Sequence, residues 1–280
     1  MITVLNVRKK NELGLRDRLL SVICPYRITE QTKRSDDICV YELTYLQRRG
    51  RIRYDKLYDR CRGKSKVILC SRELNLFNTP FKRFNSLSLK RELMKNYLFS
   101  VLKKCDIEPY RLHISFYDPN AEYPSFVQEL LEYSSCITVV TDMPKFYENE
   151  AGRITAENGA NIIVSNNISD LYPCDIIISP AVIRKPISAA ASTLIFTTAY
   201  PTVTVAGNII CRYDITMPEK YRKLRPDSID DMYFMSALYI LCRQTELAKL
   251  LPESCGDNSI QYDTDTIVRQ IRAKCQIEVV

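Results

Sequence analysis

The sequence predicts an α/β protein with a mainly parallel sheet, flanking helices and a smaller mixed region at its N-terminus. Two observations lead to this fold class. In the central part of the 280-residue chain, short apolar runs rich in β-branched residues alternate with amphipathic helical stretches, which is typical of βαβ units. The composition, with 46% hydrophobic and 26% charged residues, is that of a folded globular protein.

The strands of the central segment are predicted from their short apolar runs. We expect them at 66–70, 112–117, 136–141, 161–165, 175–179 and 193–197, with a seventh at 202–205. Several of these runs are apolar at almost every position, as strands buried on both faces of a parallel sheet are. The fold class depends on 137–140, 162–164 and 176–178 running in the same direction within one sheet.

Three helices are predicted between these strands. A helix at 87–102 is expected to follow a Ser86 cap, because apolar residues recur at four-residue steps along one face. A shorter helix is predicted at 125–132. A third, at 145–158, is expected to end at Gly159, since glycine readily adopts the left-handed conformation that ends many helices.

The two ends of the chain differ in character from the centre. Before the core we predict a strand at 1–7, a helical stretch at 13–22, a strand at 38–46 and a basic helix at 54–62. After the core we predict a helix at 228–250 capped by Ser228, and a further helical segment at 264–273. These elements divide the chain into a mixed N-terminal region at 1–63, an α/β core at 64–215 and a C-terminal helical region at 216–280.

Hydropathy and cysteine usage predict a soluble, cytoplasmic protein without a membrane segment. No apolar run approaches the roughly 20 residues that span a bilayer, and the N-terminal charges follow the apolar stretch, which is the wrong order for a secretory signal. The eleven cysteines are odd in number and none is spaced as C-x-x-C, so we expect reduced thiols and no metal site. The one histidine, His113, is expected to be a buried strand residue.

The stretch 135–179 contains a recognisable series of elements. A strand at 137–140 precedes a helix that ends at 157–160, and strands follow at 162–164 and 174–178. This series, about 45 of the 280 residues, resembles half of a Rossmann-type NAD(P)-binding domain such as those of shikimate dehydrogenase and glutamyl-tRNA reductase. The resemblance implies a Rossmann-like sheet and, in the family, a dinucleotide at the turn after the first strand.

The turn after the strand at 137–140 departs from the family pattern. In the family, glycines in this turn let the backbone approach a pyrophosphate at a helix N-terminus. Here the turn at 141–145 contains no glycine, and Asp142 would place a carboxylate where the phosphates lie. The sequence therefore argues against NAD(P) as a cofactor, and leaves the cofactor unknown.

A ligand of an open parallel sheet is expected beyond the carboxyl ends of the strands. The polar residues that follow the predicted strands are therefore candidates for ligand binding: Ser71, Arg72, Tyr117, Asp118, Thr141, Asp142, Ser165, Asn166 and Ser179. Ordinary turns favour the same residue types, so each residue could instead simply end its strand.

One loop combines several groups that can bind an anion. Ser71, Arg72 and Asn75 follow a predicted strand, with Lys82 a few residues behind, and such groups hold a phosphate or carboxylate through charge-assisted hydrogen bonds. The alternative is a structural loop in which Arg72 pairs with a neighbouring acidic residue.

The segment 48–104 is strongly basic. It contains 17 Lys or Arg residues and four acidic ones. Its densest part offers cations with an aromatic ring, as nucleic-acid-binding surfaces do: Arg48, Arg49, Arg51, Arg53 and Tyr54. A solvated basic turn and helix would have the same composition.

No catalytic residues are assigned, because the sequence carries no nucleophile elbow, Walker-type loop or zinc-protease motif. The preferred hypothesis is a binding or regulatory protein that recognises a small anionic ligand at the strand ends. Two alternatives are an oxidoreductase of the shikimate-dehydrogenase type with atypical nucleotide binding, and a nucleic-acid-associated protein that uses the basic N-terminal third. The 18 tyrosines leave room for a protein partner or a homo-oligomer, since tyrosine is favoured at interfaces.

Overall fold

The computed structural model describes residues 1–9, 24–61, 66–158, 160–257 and 259–276. The chain forms two compact units, and each unit consists of two separate chain segments. Unit 1 contains Met1–Leu89 and Thr216–Ala248, and unit 2 contains Lys90–Ile215 and Lys249–Val280. Two predictions lie outside the described residues: the helix at 13–22, and Gly159 as the residue that ends the helix at 145–158.

The described α-helices lie close to most of the predicted helical stretches. They are α1 Tyr54–Cys61, α2 Ser88–Cys105, α3 Pro124–Leu130, α4 Pro144–Asn158, α5 Glu219–Arg222, α6 Asp231–Leu241 and α7 Thr264–Gln276. Short 3₁₀ helices add Pro109–Arg111, Ile168–Leu171 and Thr245–Lys249. The predicted cap of α2 is confirmed, because the Ser86 hydroxyl accepts a hydrogen bond from the Ser88 N–H at 3.2 Å. Among the described residues no helix is long and apolar enough to cross a membrane.

Unit 1 contains a five-stranded mixed sheet. Its strands are β1 Ile2–Arg8, β2 Tyr26–Ser35, β3 Ile38–Gln47, β4 Val67–Cys70 and β5 Lys82–Arg83, in the order β2-β3-β1-β4-β5. β2 and β3 form an antiparallel hairpin, while β3, β1, β4 and β5 are parallel. The strand at 67–70, which we expected to begin the central core, is therefore a member of this N-terminal sheet and pairs with β1.

Apolar side chains cover one face of this sheet. Leu5, Leu43 and Tyr45 from the strands pack with Leu57 from α1, and all four are buried. Leu57 and Cys61 are four residues apart, so they lie on the same side of α1 and face the core together. Burial of this apolar face of α1 stabilises the packing of the helix on the sheet.

Unit 2 is built on a six-stranded sheet in which every pair of strands is parallel. Its strands are β6 His113–Tyr117, β7 Cys136–Val140, β8 Asn161–Ser165, β9 Ile176–Ser179, β10 Leu194–Thr197 and β11 Asn208–Ile210. The order is β11-β10-β9-β6-β7-β8. Numbered from β6, this is 6-5-4-1-2-3, the strand order of doubly wound dinucleotide-binding sheets read from its other edge. The predicted α/β class and the Rossmann-like arrangement are confirmed.

Two details of the parallel sheet differ from the prediction. The strand expected at 202–205 does not form there. Val203 and Val205 pack on the core, and Val205 makes one isolated bridge with Ile187, but the sheet is completed by β11. His113 is exposed at the start of β6, so the expectation that it is buried was wrong.

The C-terminal part of the chain also differs. A small antiparallel sheet of β12 Arg212–Asp214, β13 Ser254–Gly256 and β14 Gln261–Asp263 was not predicted. The helix predicted at 228–250 is shorter: α6 is capped by Asp230, whose carboxylate accepts from the Tyr233 N–H at 2.8 Å. It stops before Arg243, which has a positive φ of 55°.

Candidate ligand-binding site

The strand order of unit 1 shows where a ligand of that sheet would lie. β1 is the first strand, and the chain adds β3 on one side of it and β4 on the other. In open sheets of parallel strands, ligands bind beyond the carboxyl ends of the strands at the point where the order reverses. In unit 1 that point lies between β1 and β4.

A cavity of about 80 Å³ occurs at this position. By the same measure a water molecule needs only about 10–15 Å³, so the cavity has room for a few waters or for a small molecule. Its lining comes from β1, from the segments that follow β1, β3 and β4, and from the turn before α6: Leu5, Asn6, Val7, Lys9, Ile52, Ser71, Glu73, Leu74, Ser228 and Ile229. We call it the strand-end cavity.

The lining of the strand-end cavity separates apolar from polar groups. Leu5 and Ile229 are buried and form part of its floor, whereas Lys9, Ser71 and Glu73 are exposed and lie at its rim. Within the residues that the structure describes, neither Lys9 nor Glu73 has an ion-pair partner within 4.0 Å. The cavity therefore offers one cation and one anion at its rim above an apolar base.

The edge of β1 that borders the cavity lacks a partner strand. β4 pairs with β1 only through Leu69 opposite Val4 and Cys70 opposite Leu5, while β3 pairs with β1 as far as Arg8. Along 6–8, the described residues therefore provide a strand on one side of β1 only. Backbone groups that face the other side can bond to water or to a ligand.

The loop after β4 is held by Arg83. One terminal nitrogen of its guanidinium, Nη2, donates to the carbonyl oxygens of Ser71 at 3.1 Å, Arg72 at 3.2 Å and Leu74. The Tyr54 hydroxyl donates to the Asn75 carbonyl at 2.7 Å. These bonds determine the path of the loop and so position Ser71 and Glu73 at the cavity.

The four residues of the predicted anion loop have different surroundings. Ser71 lines the strand-end cavity, and its hydroxyl also accepts from the Glu73 N–H at 3.3 Å. Asn75 accepts from the Phe77 N–H at 2.8 Å, as a turn residue does. Arg72 and Lys82 are exposed and are not part of the lining.

The remaining strand-end candidates belong to unit 2. Its order reverses between β6 and β9, and the residues that follow these strands are Asp118 and Pro180. Asp118 is fully buried, and its Oδ2 accepts from the Tyr147 hydroxyl at 2.7 Å and from the Tyr123 N–H at 2.8 Å. Burial, together with the Asp118 charge, raises the pKa of Tyr147 well above its ordinary value. The other oxygen of Asp118, Oδ1, is buried without a hydrogen-bond partner among the described residues.

Strand-end hydroxyls in unit 2 bond to the protein's own backbone. Ser179 and Thr197 donate to the Ala181 carbonyl at 2.9 and 3.4 Å, and Thr198 donates to the Pro180 carbonyl at 3.2 Å. Thr141 likewise accepts from the Met143 N–H at 3.1 Å. These contacts are those of residues that end strands and hold the next loop in place.

The other unit 2 candidates are spread along the same edge. Asp142 forms an ion pair of 2.6 Å with Lys185, whose pKa is raised by this hydrogen bond. Ser165 donates to Asp170, Asn166 is exposed, and Tyr117 is buried in the core. Among the described residues, these candidates do not form one cluster. The candidates in the loop at 71–75 belong to the other unit, unit 1.

The strand order also changes which turn corresponds to the glycine-rich turn of dinucleotide-binding sheets. The first strand of the order is β6 rather than β7, so the corresponding turn is 118–123 rather than 141–145. This turn contains no glycine either, and it begins with the buried Asp118. Asp142 instead follows the second strand of the order.

The basic stretch of unit 1 is only partly exposed. Arg48 is 4% exposed, Arg53 forms a 2.8 Å ion pair with Asp55, and Tyr54 is half-buried. Arg49 and Arg51 are exposed. Of the five predicted nucleic-acid residues, Arg49 and Arg51 are thus the two exposed cations that form no ion pair with the described part of the chain.

Sequence reasoning missed several groups of the strand-end cavity, above all Lys9, Asn6 and Ser228. The strand-end rule could have identified Lys9, because it follows the predicted first strand. No signal in the sequence places Ser228 beside β1.

Comparisons with known proteins give no family. No family model matches the chain, and no curated protein matches it. Solved structures with similarity include an archaeal alanine dehydrogenase dimer with bound NAD, at 10% identity over 70% of this chain and 67% of that chain, with a TM-score of 0.29. Another is L-tryptophan dehydrogenase from Nostoc punctiforme, at 11% identity over 98% and 78%, with a TM-score of 0.30.

A third solved structure is a Δ1-pyrroline-2-carboxylate reductase from Thermococcus litoralis in complex with NADH and L-proline. Its identity is 10% over 74% of this chain and 69% of that chain, with a TM-score of 0.29. The α/β fold of the present protein is assigned from the strand pairing of its own sheets, and not from these similarities.

Proposed function

We propose that this protein binds a small ligand with an anionic group, in a binding or regulatory role, at the strand-end cavity of unit 1. One observation carries the proposal: the cavity lies where the order of the parallel strands reverses, between β1 and β4. The exposed Lys9 ammonium and the Ser71 hydroxyl at its rim are the groups that would bind the anion through charge-assisted hydrogen bonds.

The polar groups of the lining support binding rather than covalent chemistry. They are an ammonium, a carboxylate, two serine hydroxyls and an amide, from Lys9, Glu73, Ser71, Ser228 and Asn6. Among the described residues, neither serine hydroxyl of this lining forms a hydrogen bond with a side-chain base, the pairing that nucleophilic catalysis needs.

A thermal-shift titration with acetate, propionate and inorganic phosphate tests the proposal. We expect one or more of them to raise the melting temperature of the wild type, because a ligand that binds only the folded state stabilises it. Lys9→Met should weaken the effect about tenfold or more, the loss expected for a charge-assisted hydrogen bond. Arg72→Met is the matched control, since Arg72 is an exposed neighbour outside the lining.

Two outcomes would change this conclusion. No stabilisation by any of the three anions, together with unchanged behaviour of Lys9→Met, would refute the cavity as an anion site. Loss of binding in Arg72→Met and Lys82→Met but not in Lys9→Met would move the site to the outer side of the loop at 71–75.

An oxidoreductase with atypical nucleotide binding is the second candidate. Asp142 favours it, because an acidic residue after the second strand of a dinucleotide-binding sheet contacts the ribose hydroxyls. The 2.6 Å ion pair with Lys185 competes for the same carboxylate. A fluorescence titration with NADH and NADPH decides: saturable binding that Asp142→Asn abolishes supports this candidate, and the absence of saturable binding rejects it.

A further inference from the structure

The strand-end cavity has both a positive and a negative side chain at its rim, and a simple anion would pair with only the positive one. Lys9 and Glu73 carry opposite charges, both line the cavity and both are exposed at its rim. Across the described part of the chain they are not paired with each other or with another charged group within 4.0 Å. A carboxylate at the rim would repel a simple anion, but it would attract a ligand that also carries a cation.

From this lining we infer that the preferred ligand of the strand-end cavity is a small zwitterion of the α-amino acid class. The inference rests on the proposed function and narrows it. The ligand carboxylate would bind the Lys9 ammonium and the Ser71 hydroxyl, and the ligand ammonium would donate to the Glu73 carboxylate.

The apolar part of the lining fits the carbon end of such a ligand. Leu5, Val7, Ile52, Leu74 and Ile229 supply alkyl groups below the polar rim. Their surface favours a ligand with a methyl or another short alkyl group, since removing such a group from water is worth about 0.8 kcal/mol per CH₂. The volume of about 80 Å³ restricts the enclosed part to a few non-hydrogen atoms.

The uncovered edge of β1 adds polar groups of both kinds. Beyond Leu5, the strand is paired only with β3, so its other edge presents backbone N–H and C=O groups next to the cavity. A zwitterion has an acceptor and a donor on adjacent carbons and can use both kinds of group. A carboxylate without an ammonium can use only the N–H groups.

Three probes that share a methyl group next to the carbon bearing the charged groups separate these possibilities. L-alanine carries both charges, propionate lacks the ammonium and ethylamine lacks the carboxylate. Titration calorimetry of the full chain with each compound should show L-alanine binding at least about tenfold more tightly than propionate, since one charge-assisted hydrogen bond distinguishes them. Ethylamine should bind more weakly than L-alanine for the same reason.

Two variants locate the preference. Glu73→Gln keeps the size of the side chain but removes its charge. In this variant L-alanine should bind only about as tightly as propionate, and the affinity for propionate should be no lower than in the wild type. Lys9→Met should weaken the binding of both L-alanine and propionate. Both residues are exposed, so we expect melting temperatures close to that of the wild type without ligand, which checks that each variant is folded.

The outcomes separate this inference from the proposed function. If propionate binds as tightly as L-alanine to the wild type, or if Glu73→Gln leaves their ratio unchanged, the zwitterion inference is wrong and an anion site remains. If L-alanine, propionate and inorganic phosphate all fail to bind, both the inference and the proposed function are overturned.

Discussion

At the scale of single residues, the loop after β4 depends on an arginine that the sequence analysis did not select. We considered Arg72, because it follows a strand and carries a charge, either as an anion ligand or as the partner of an acidic residue. The structure instead places Arg72 in solvent and gives the structural role to Arg83, which donates to three carbonyl oxygens of the loop. Charge and spacing identify a basic residue, but they do not show which backbone groups it reaches.

This difference predicts unequal effects of two matched substitutions. Arg83→Met should lower the free energy of unfolding by about 1–3 kcal/mol, because three loop carbonyl oxygens, that of Leu74 part-buried, lose a charged donor. Arg72→Met should change it by no more than about 0.5 kcal/mol, as is usual for an exposed side chain. Urea denaturation of both variants beside the wild type measures the effects, and equal destabilisation would contradict the role given to Arg83.

At the scale of elements, most strands and helices of the centre could be predicted, because each has a clear apolar pattern. β6 to β10 and α2 to α4 lie within a few residues of their predicted positions. The 10-residue strand β2 was missed, because it is an edge strand whose sequence, Tyr-Arg-Ile-Thr-Glu-Gln-Thr-Lys-Arg-Ser, is polar except for Tyr26 and Ile28, which pack on the core. Its pairing with β3 supplies the stabilisation that its own hydropathy does not indicate.

The errors at the other elements have separate physical causes. The alternation of Thr and Val at 202–205 reflects packing of Val203 and Val205 on the core, with a single bridge from Val205 to Ile187 in place of a strand pairing. The next strand of the sheet is β11. The end of α6 could not be predicted, because the positive φ that stops it belongs to Arg243 rather than to a glycine or asparagine. The candidate site was predicted in part: the rule for strand ends identified Ser71, but the cavity also needs the turn at 226–229.

A polar cluster formed by two residues of α5 and Glu246 predicts a dependence of stability on pH. Lys220 forms a 2.8 Å ion pair with Glu246, and the Tyr221 hydroxyl also donates to this carboxylate. The two hydrogen bonds, that of Lys220 first, lower the pKa of Glu246 to about 2. Because the folded-state pKa lies below the ordinary value of 4.5, the contribution is present above about pH 4.5 and is lost as pH falls towards 2.

The corresponding test replaces this carboxylate. Both partners of the pair are about half exposed, so Glu246→Gln should cost no more than about 1 kcal/mol at pH 7. Urea midpoints measured at several pH values should show the difference from the wild type shrinking below pH 4.5 and vanishing near pH 2. Glu219→Gln, which breaks only the i,i+3 pair with Arg222, is the control and should cost a few tenths of that energy. A difference that persists at pH 2 would contradict the assignment.

At the scale of the whole molecule, the eleven cysteines are all free thiols, and only Cys24 is classed as exposed. Burial raises the pKa of Cys61, Cys105, Cys174 and Cys255 to about 11, so each of these is almost entirely a thiol at neutral pH. Because the thiolate is the reactive form and a reagent must reach it, exposure favours Cys24 as the reactive cysteine.

Thiol titration with Ellman's reagent at pH 8 should therefore show a fast phase from Cys24 in the native protein, followed by much slower reaction. In concentrated guanidinium chloride all eleven thiols should react. Cys24→Ser should remove the fast phase and leave the slow reaction unchanged. A fast phase of the same size in this variant would show that another thiol is open to solvent.

Each unit is assembled from segments far apart in the chain, and this affects how the protein matures during synthesis. The strands of unit 1 leave the ribosome early, but the Tyr233 hydroxyl that donates to the Phe84 carbonyl at 2.8 Å is made 149 residues later. At ordinary translation rates of about 5–20 residues per second, the nascent sheet waits roughly ten seconds or more for α6. Until then β1 and the Phe84 carbonyl lack their contacts with α6, so we expect the early chain to depend on chaperones.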